Sequence, residues 1–352
     1  MKITQHFLIL SSLLSLFIIH SCKTDFELNA PYDDIPVVFA ALDQSLDTQY
    51  VKINKTYLGT GDNTTYASIN DSVLFPNLSA RVDEIFNGNI TNSFQLEEKW
   101  VPVEDGIFYN GTQKVYFFPT PTGLNPSAKY KLTVNIDEGR KIVTAETRLV
   151  EDFNFKATFI NKGISGFNFA GANATINNSY PKFRVEWTTA KGGKRYEASL
   201  RFFYKEVMQN NDTIAKYFDW FLGSEEALNT NGGQDMSKEV KGDGLYKMVA
   251  SKLANHPNEN DVVKRLFSRI EFRVAAAGDE LSTYISVNEP SSSIVSERPN
   301  YTNITNGLGI FSSRYNLIYD KNPQTPTIDL TLNTSSLEEL KNGQYTGHLK
   351  FQ

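Results

Sequence analysis

Of the 352 residues only one is cysteine, Cys22. A lone thiol rules out an internal disulfide and any cysteine-based zinc site, so the fold must be held by packing. Asn-x-Ser/Thr triplets recur at Asn54, Asn77, Asn89, Asn110, Asn173, Asn211 and Asn303. A eukaryotic secreted glycoprotein bearing them would usually carry paired cysteines, and turns and exposed strand faces account for this use of Asn and Thr. Histidine is nearly as scarce, with four in the chain. Two of these, His6 and His20, fall in the N-terminal segment, leaving His256 and His348 far apart. With no His-Glu-x-x-His, no zinc ligand set is assigned, and His256 beside Pro257 reads as the end of a helix. Blocks of positive charge are missing too: 35 Lys and Arg stand against 40 Asp and Glu, for a net charge of −5. Without a basic footprint for a phosphate backbone, no nucleic acid is expected as a partner.

Catalytic signatures are similarly absent. Gly163-Ile-Ser-Gly166 lacks the Gly-x-Ser-x-Gly spacing of a nucleophile elbow, and no glycine-rich phosphate loop occurs. The acids Asp212, Asp235, Asp243 and Asp261 do not form a calcium loop. The pairs Glu225-Glu226, Asp33-Asp34 and Glu97-Glu98 are sequence neighbours, and such neighbours point apart or sit on solvated turns. No catalytic residue, metal or cofactor is assigned, and the chain is read as a non-enzyme.

No apolar run is long enough for a secure membrane span. The N-terminal stretch from Phe7 to Ile19 is interrupted by Ser11, Ser12 and Ser15, whereas a spanning helix needs about 20 predominantly apolar residues. What is there instead is Lys2, a short apolar core, and Ile19-His20-Ser21-Cys22. A basic start, an apolar core and a small residue before a cysteine are the pattern of a bacterial lipoprotein signal, with the Cys22 thiol as lipid attachment point. Residues 1–21 are then the signal and residues 22–35 a tether. The tether is polar, with Pro31 and the acids Asp25, Glu27, Asp33 and Asp34, and it has too little apolar surface to order itself. Acids just after the lipid cysteine resemble the export signal of surface-exposed lipoproteins.

Beyond the tether, short β-branched and aromatic runs alternate with Asn, Gly, Asp and Pro: 37–42, 50–57, 78–86, 94–100, 114–118, 130–136 and 141–148. Seven runs at near-regular spacing predict an immunoglobulin-like β-sandwich over residues 36–150. The clearest part is a hairpin, with Tyr130, Leu132, Val134 and Ile136 on one face and a turn over Asp137–Arg140 containing Gly139. Residues 151–352 read as a second β-rich domain with a few short helices. Its strands are expected at 153–160, 183–188, 196–207 and 213–221, with Ile270, Phe272 and Val274 on another. The small-residue stretch Gly163–Ala174 is expected to be an exposed loop. Leu245, Met248, Val249 and Leu253 recur at helical spacing, and a second short helix is expected from Asp261 with Val262, Val263, Leu266 and Phe267 inward. Asp279–Val287 fits helix or strand, and Ser336-Leu-Glu-Glu339 matches a capping box for a last helix.

Aromatic residues are the feature most compatible with binding. Trp187, Trp220 and the run Tyr217-Phe-Asp-Trp-Phe221 could offer a stacking platform, with Tyr217 and Trp220 as the candidate ligand-binding pair. The competing and favoured reading is that these rings fill a core.

Three elements carry a family resemblance: Pro36–Leu42, the hairpin Tyr130–Thr147, and Arg298–Arg314 with its Asn303-Ile-Thr-Asn-Gly-Leu-Gly-Ile-Phe311. Together they resemble an uncharacterised group of Bacteroidota outer-membrane lipoproteins, a domain of unknown function often encoded beside TonB-dependent receptors. The resemblance implies a lipid-anchored, surface-exposed accessory or binding protein of the outer membrane, with the membrane and an outer-membrane protein as partners. Capture of a surface glycan or peptide is the alternative, and a cryptic hydrolase a third. In the Arg298–Arg314 element, Gly307 and Gly309 predict a strand that bends or is closely approached.

Overall fold

A computed structural model of the protein describes residues 34–57, 70–102, 112–257, 259–289 and 300–352. Cys22, the signal and most of the tether lie outside them. The chain is mainly β, in two sheet-based regions with a few short helices.

The first region contains β1 (Pro36–Leu42), β2 (Thr48–Lys55), β3 (Leu78–Phe86), β4 (Asn89–Gln95), β5 (Glu97–Pro102), β6 (Thr112–Pro119), β7 (Lys129–Ile136) and β8 (Lys141–Arg148). They form two layers, in the orders β5-β6-β2-β1 and β4-β3-β7-β8. This is the strand arrangement of an immunoglobulin-like sandwich with one added strand. The alternation seen in sequence is what fills it. Val38, Leu42, Val51, Ile53 and Phe118 from one layer meet Val82, Leu132, Val134, Ile136 and Val143 from the other, all buried. The expected strand 94–100 is instead two. At Leu96, whose amide donates to the Ala80 carbonyl at 2.9 Å, the chain leaves one sheet for the other. Tyr130 opens β7 and donates its hydroxyl to the Asn125 carbonyl (3.1 Å) and to Glu84 (2.7 Å). A tyrosine bonded to backbone a few residues upstream is the corner that ties such sandwiches together without a disulfide. The hairpin turn takes positive φ at Asp137, Glu138 and Gly139.

The second region contains β9 (Lys182–Thr188), β10 (Gly193–Met208), β11 (Thr213–Glu226), β12 (Asp235–Lys241), β13 (Val262–Gly278) and β14 (Leu308–Tyr319), with helices α1 (Asp243–Leu253), α2 (Asp279–Asn288) and α3 (Thr334–Asn342). Strands β11-β10-β13-β14 continue through β1 into the sandwich, giving one eight-stranded sheet. The β9–β12 ribbon packs on its inner face through an aromatic core: Phe159, Phe167, Phe169, Phe183, Trp187, Tyr196 and Phe272 are all buried.

β14 is the seam between the regions. Its first half runs parallel to β1, with Val37 opposite Leu308 and Leu42 opposite Ser313, and its second half pairs antiparallel with β13. The distinctive 303–311 element makes this possible. A Cβ on Gly309, at φ +104°, would sit 2.0 Å from the Val38 carbonyl oxygen, so only glycine allows the approach. The Asn303 side chain accepts from the Phe311 amide (2.9 Å) and donates to its carbonyl (2.7 Å), while Thr305 exchanges two backbone bonds with Thr144 of β8. Ile304 and Phe311 are buried in the sandwich core.

Four expectations fail, each for a packing reason. At 153–160 only Phe155 bridges to a strand, at Trp187, and 157–160 is one helical turn that delivers Phe159 to the ring cluster. The stretch 163–174 is not an exposed loop, because Phe167, Phe169 and Ala170 are fully buried. The helix expected from Asp261 is the start of β13. Register shifts at Phe203/Tyr204 and Val207/Met208 leave Ser268 and Val263 unpaired, and such bulges break strict alternation into an apparently helical spacing. Finally, the expected last helix is there, ending before Gly343, but α3 is capped by Asn333 and not by the Ser336 box: the Asn333 side chain accepts from the Ser336 amide at 3.0 Å. Ser336 and Glu339, the residues of the expected box, hold the 169–180 segment instead: the Ser336 hydroxyl accepts from the Phe169 amide, and Glu339 accepts from Thr175 and Tyr180.

Candidate binding surface

On β11 successive side chains alternate between the core and the outer face of the large sheet. Trp220 pairs with Leu200 and turns inward, 6.3 Å from Phe169 and against Gly244 of α1. Tyr217, three residues away, must face outward and is 56% exposed. The structure therefore does not bring the two together. Trp220 fills core, as does fully buried Trp187, while Tyr217 belongs to a different constellation.

That constellation spans the outer faces of β11, β10 and β13. Cross-strand register places Tyr217 beside Phe203 and then Arg269, and Asp219 beside Arg201 and then Glu271. The Tyr217 and Phe203 rings lie 5.8 Å apart. The Arg201 guanidinium stands 4.2 Å from the centre of Tyr217, and that of Arg269 stands 3.6 Å from the centre of Phe203. Both are cation–π distances. Arg201 also forms a two-pronged pair with Asp219 at 2.6 and 2.7 Å. These bonds hold the Asp219 carboxyl below its ordinary pKa, against the opposing effect of its burial, and raise that of Arg201. Glu271 accepts from Arg269 at 3.1 Å and from Arg273. Phe221, 58% exposed, extends the ring row along the edge. The result is a plate of rings and charge-paired arginines across three strands.

The remaining candidates resolve differently. His256 does end helix α1, but its Nε2 lies 3.3 Å from Glu206 and 3.2 Å from Lys216. Glu206 and Arg265 are fully buried and bonded at 3.0 Å, and Arg265 also binds Glu259 and the Leu349 carbonyl. This network fastens the C-terminal segment to β13, and no local sequence pattern announces it because its members come from separate elements. His348 is exposed. The neighbouring acids are ion-paired: Glu225 with Lys238, Glu98 with Lys114, and Asp34 with Arg140 and Lys141. A groove of about 440 Å³ lies between Gly171–Ile176 and α3, lined by Asn173, Thr175, Ser335, Glu338 and Asn342. Among the described residues no group of His, Cys, Asp and Glu is arranged to hold a metal, and no helix is long and apolar enough to cross a membrane. Cys22 lies outside the described residues.

No protein-family model matches the chain, and no curated protein matches it. Among solved structures it is similar to the C-terminal globular domain of an oligosaccharyltransferase from Pyrococcus abyssi, at 13% identity and a TM-score of 0.28. The match covers 67% of this chain and 42% of that one. At that level the likeness carries no functional argument.

Proposed function

We propose that the protein is a lipid-anchored accessory or binding protein of a bacterial outer membrane, acting by contact beside a TonB-dependent uptake system. The observation that carries this reading is Cys22 at the end of a short, serine-broken apolar segment. Asp34 fits the role of a tether's end: its carboxylate, held well below the usual range by the Arg140 hydrogen bonds, also pairs with Lys141 at 2.7 Å. Twelve residues, Cys22 to Asp33, precede this grip, a reach of at most about 40 Å when fully extended. The test is the mass of the mature N-terminus from membrane extracts. An acylated Cys22 is expected, and Cys22→Ser should release the protein from the membrane fraction; an unacylated terminus at another residue would refute the reading.

A second reading, capture of a surface glycan or peptide, is favoured by the plate around Tyr217. Ring faces with polar neighbours suit such ligands. Ligand-dependent thermal stabilisation that Tyr217→Ala abolishes would support capture, and a stable membrane partner without it would support the accessory role.

A further inference from the structure

An edge strand leaves alternate N–H and C=O groups unpaired, and proteins usually guard it with charge, proline, a bulge or a cover. Among the described residues the sheet edges follow that rule at every end but one. β5, at one end of the large sheet, carries Glu97, Glu98, Lys99 and Pro102. β4 is polar throughout most of its length and lies beside a register shift at Glu84/Ile85. β8 is covered by Thr305. In the small ribbon, β12 carries Lys238, Glu239 and Lys241, and β9 is bridged by Phe155.

β11, the other end of the large sheet, is guarded only from a bulge at Leu222 onwards. There Lys238 lies across Gly223 and donates to the Ser224 carbonyl and to Glu225. From Ile214 to Leu222 the strand is Ile-Ala-Lys-Tyr-Phe-Asp-Trp-Phe-Leu, with zero net charge. Both of its charges are already engaged, Lys216 with Glu206 and Asp219 with Arg201. Among the described residues no backbone group outside the sheet bonds to this stretch.

We propose that the Ile214–Leu222 edge pairs antiparallel with the same edge of a second copy of the chain, about a twofold axis at Phe218. The occupant follows from the strand's self-complementarity. With Phe218 opposite its own counterpart, each side chain keeps its face of the joined sheet. Lys216, its ammonium kept by Glu206, then lays its alkyl stem beside the counterpart of Trp220. Tyr217 meets that of Asp219, a hydroxyl beside a carboxylate, and Ala215 meets that of Phe221, small against large, up to the bulge at Leu222. Moving the axis to Asp219 sets two carboxylates against each other and runs the pairing into Lys238. Moving it to Tyr217 sets Lys216 against Phe218 and Asp219 against Ala215, losing every polar match. The pair joins two eight-stranded sheets into one and carries the Tyr217 plate across the junction.

The test uses the full chain in detergent. Sedimentation velocity over a hundredfold concentration range is expected to show a monomer–dimer equilibrium. Phe221→Lys places a guard on an exposed position; it should weaken association at least tenfold while leaving the circular dichroism spectrum and melting point unchanged. The double variant Ala215→Cys/Phe221→Cys should give a disulfide dimer on mild oxidation. Ala215→Cys alone, whose counterpart lies about six residues away along the strand, should stay at the background of the parent chain. A chain that is monomeric throughout the range, a dimer unaffected by Phe221→Lys, or equal cross-linking by the single and double variants would each overturn the proposal. Binding of a free extended peptide by a chain that remains monomeric would do so too, by giving the edge a different occupant.

Discussion

Aliphatic side chains predominate in the sandwich core, with Val38, Leu42, Val51, Ile53, Val82, Leu132 and Val134 packed between two layers beside a few rings such as Phe118, whereas beyond Val150 a cluster of rings occupies the centre of the core. There Phe167 sits 4.7 Å and Phe159 5.0 Å from Phe272, with Phe183 stacked at 5.5 Å. The difference follows from what covers each sheet. In the sandwich another pleated sheet supplies the opposite face, and β-branched side chains on alternate residues suffice to span the gap. In the second region the cover is a two-stranded ribbon, short helical turns and irregular chain, so large rings must reach across an uneven space. The first arrangement uses local pairing and the second uses contacts between distant segments. β14 belongs to both, and through it the two cores share one sheet.

Several substitutions would break or sharpen this contrast. The largest loss is expected from Phe272→Ala, which empties the centre of the ring cluster and should cost about 3–5 kcal/mol. Chemical denaturation read by tryptophan emission checks it, since Trp187 and Trp220 lie in that half. Gly309→Ala should come next. It adds backbone strain of about 1–3 kcal/mol and drives a methyl into Val38, so β14 should part from β1. A single calorimetric transition in the parent and two in the variant would show that this seam couples the halves; one transition in both would show that it does not. Tyr130→Phe removes the corner hydroxyl and its bond to the Glu84 carboxylate, for about 1.5–3 kcal/mol, and should destabilise the sandwich half alone by hydrogen exchange. Asn333→Ala, which uncaps α3, is expected to cost about 1 kcal/mol, measured by the shift in denaturation midpoint.

Alkaline pH should separate the halves least. Burial pushes Tyr116 of the sandwich, and Tyr196 and Tyr204 of the other half, up to about 12. A phenol whose folded pKa exceeds its unfolded value of about 10 favours the folded state below pH 10, and that contribution is lost as pH rises from 10 towards 12. Tyrosinate absorbance from these rings should therefore appear together with loss of near-ultraviolet circular dichroism. Ionisation of the buried rings before any loss of structure would contradict their burial.

Local structure is the part most legible in the sequence. The 78–86 and 141–148 runs coincide with β3 and β8, and the helix over Leu245–Leu253 ends at the expected place. Apolar residues that serve distant partners are not legible in this way. Phe155 and Phe159 resembled strand residues, and Phe167 and Phe169, set among Gly, Ser and Asn, resembled nothing packed. All four go to one core assembled from five or more separate segments. The candidate surface was half legible. The aromatic run marks Tyr217, but its neighbours Phe203, Arg201, Arg269 and Glu271 come from two other strands, and only their register places them beside it. A count of three along a strand was enough to separate Tyr217 from Trp220.

Side-chain period and backbone sterics within a few residues set the β character, the sandwich's alternating faces and the close approach at Gly309, which is why these are legible in the chain itself. Long-range pairing sets the rest: β14 joins two cores in one sheet, the 163–174 stretch is interior, Glu206 and Arg265 meet in the core, and among the described residues the first part of the β11 edge is left without a guard. Those outcomes depend on which strand lies beside which, and pairing over long separations is set by the sum of all contacts rather than by any one stretch of chain.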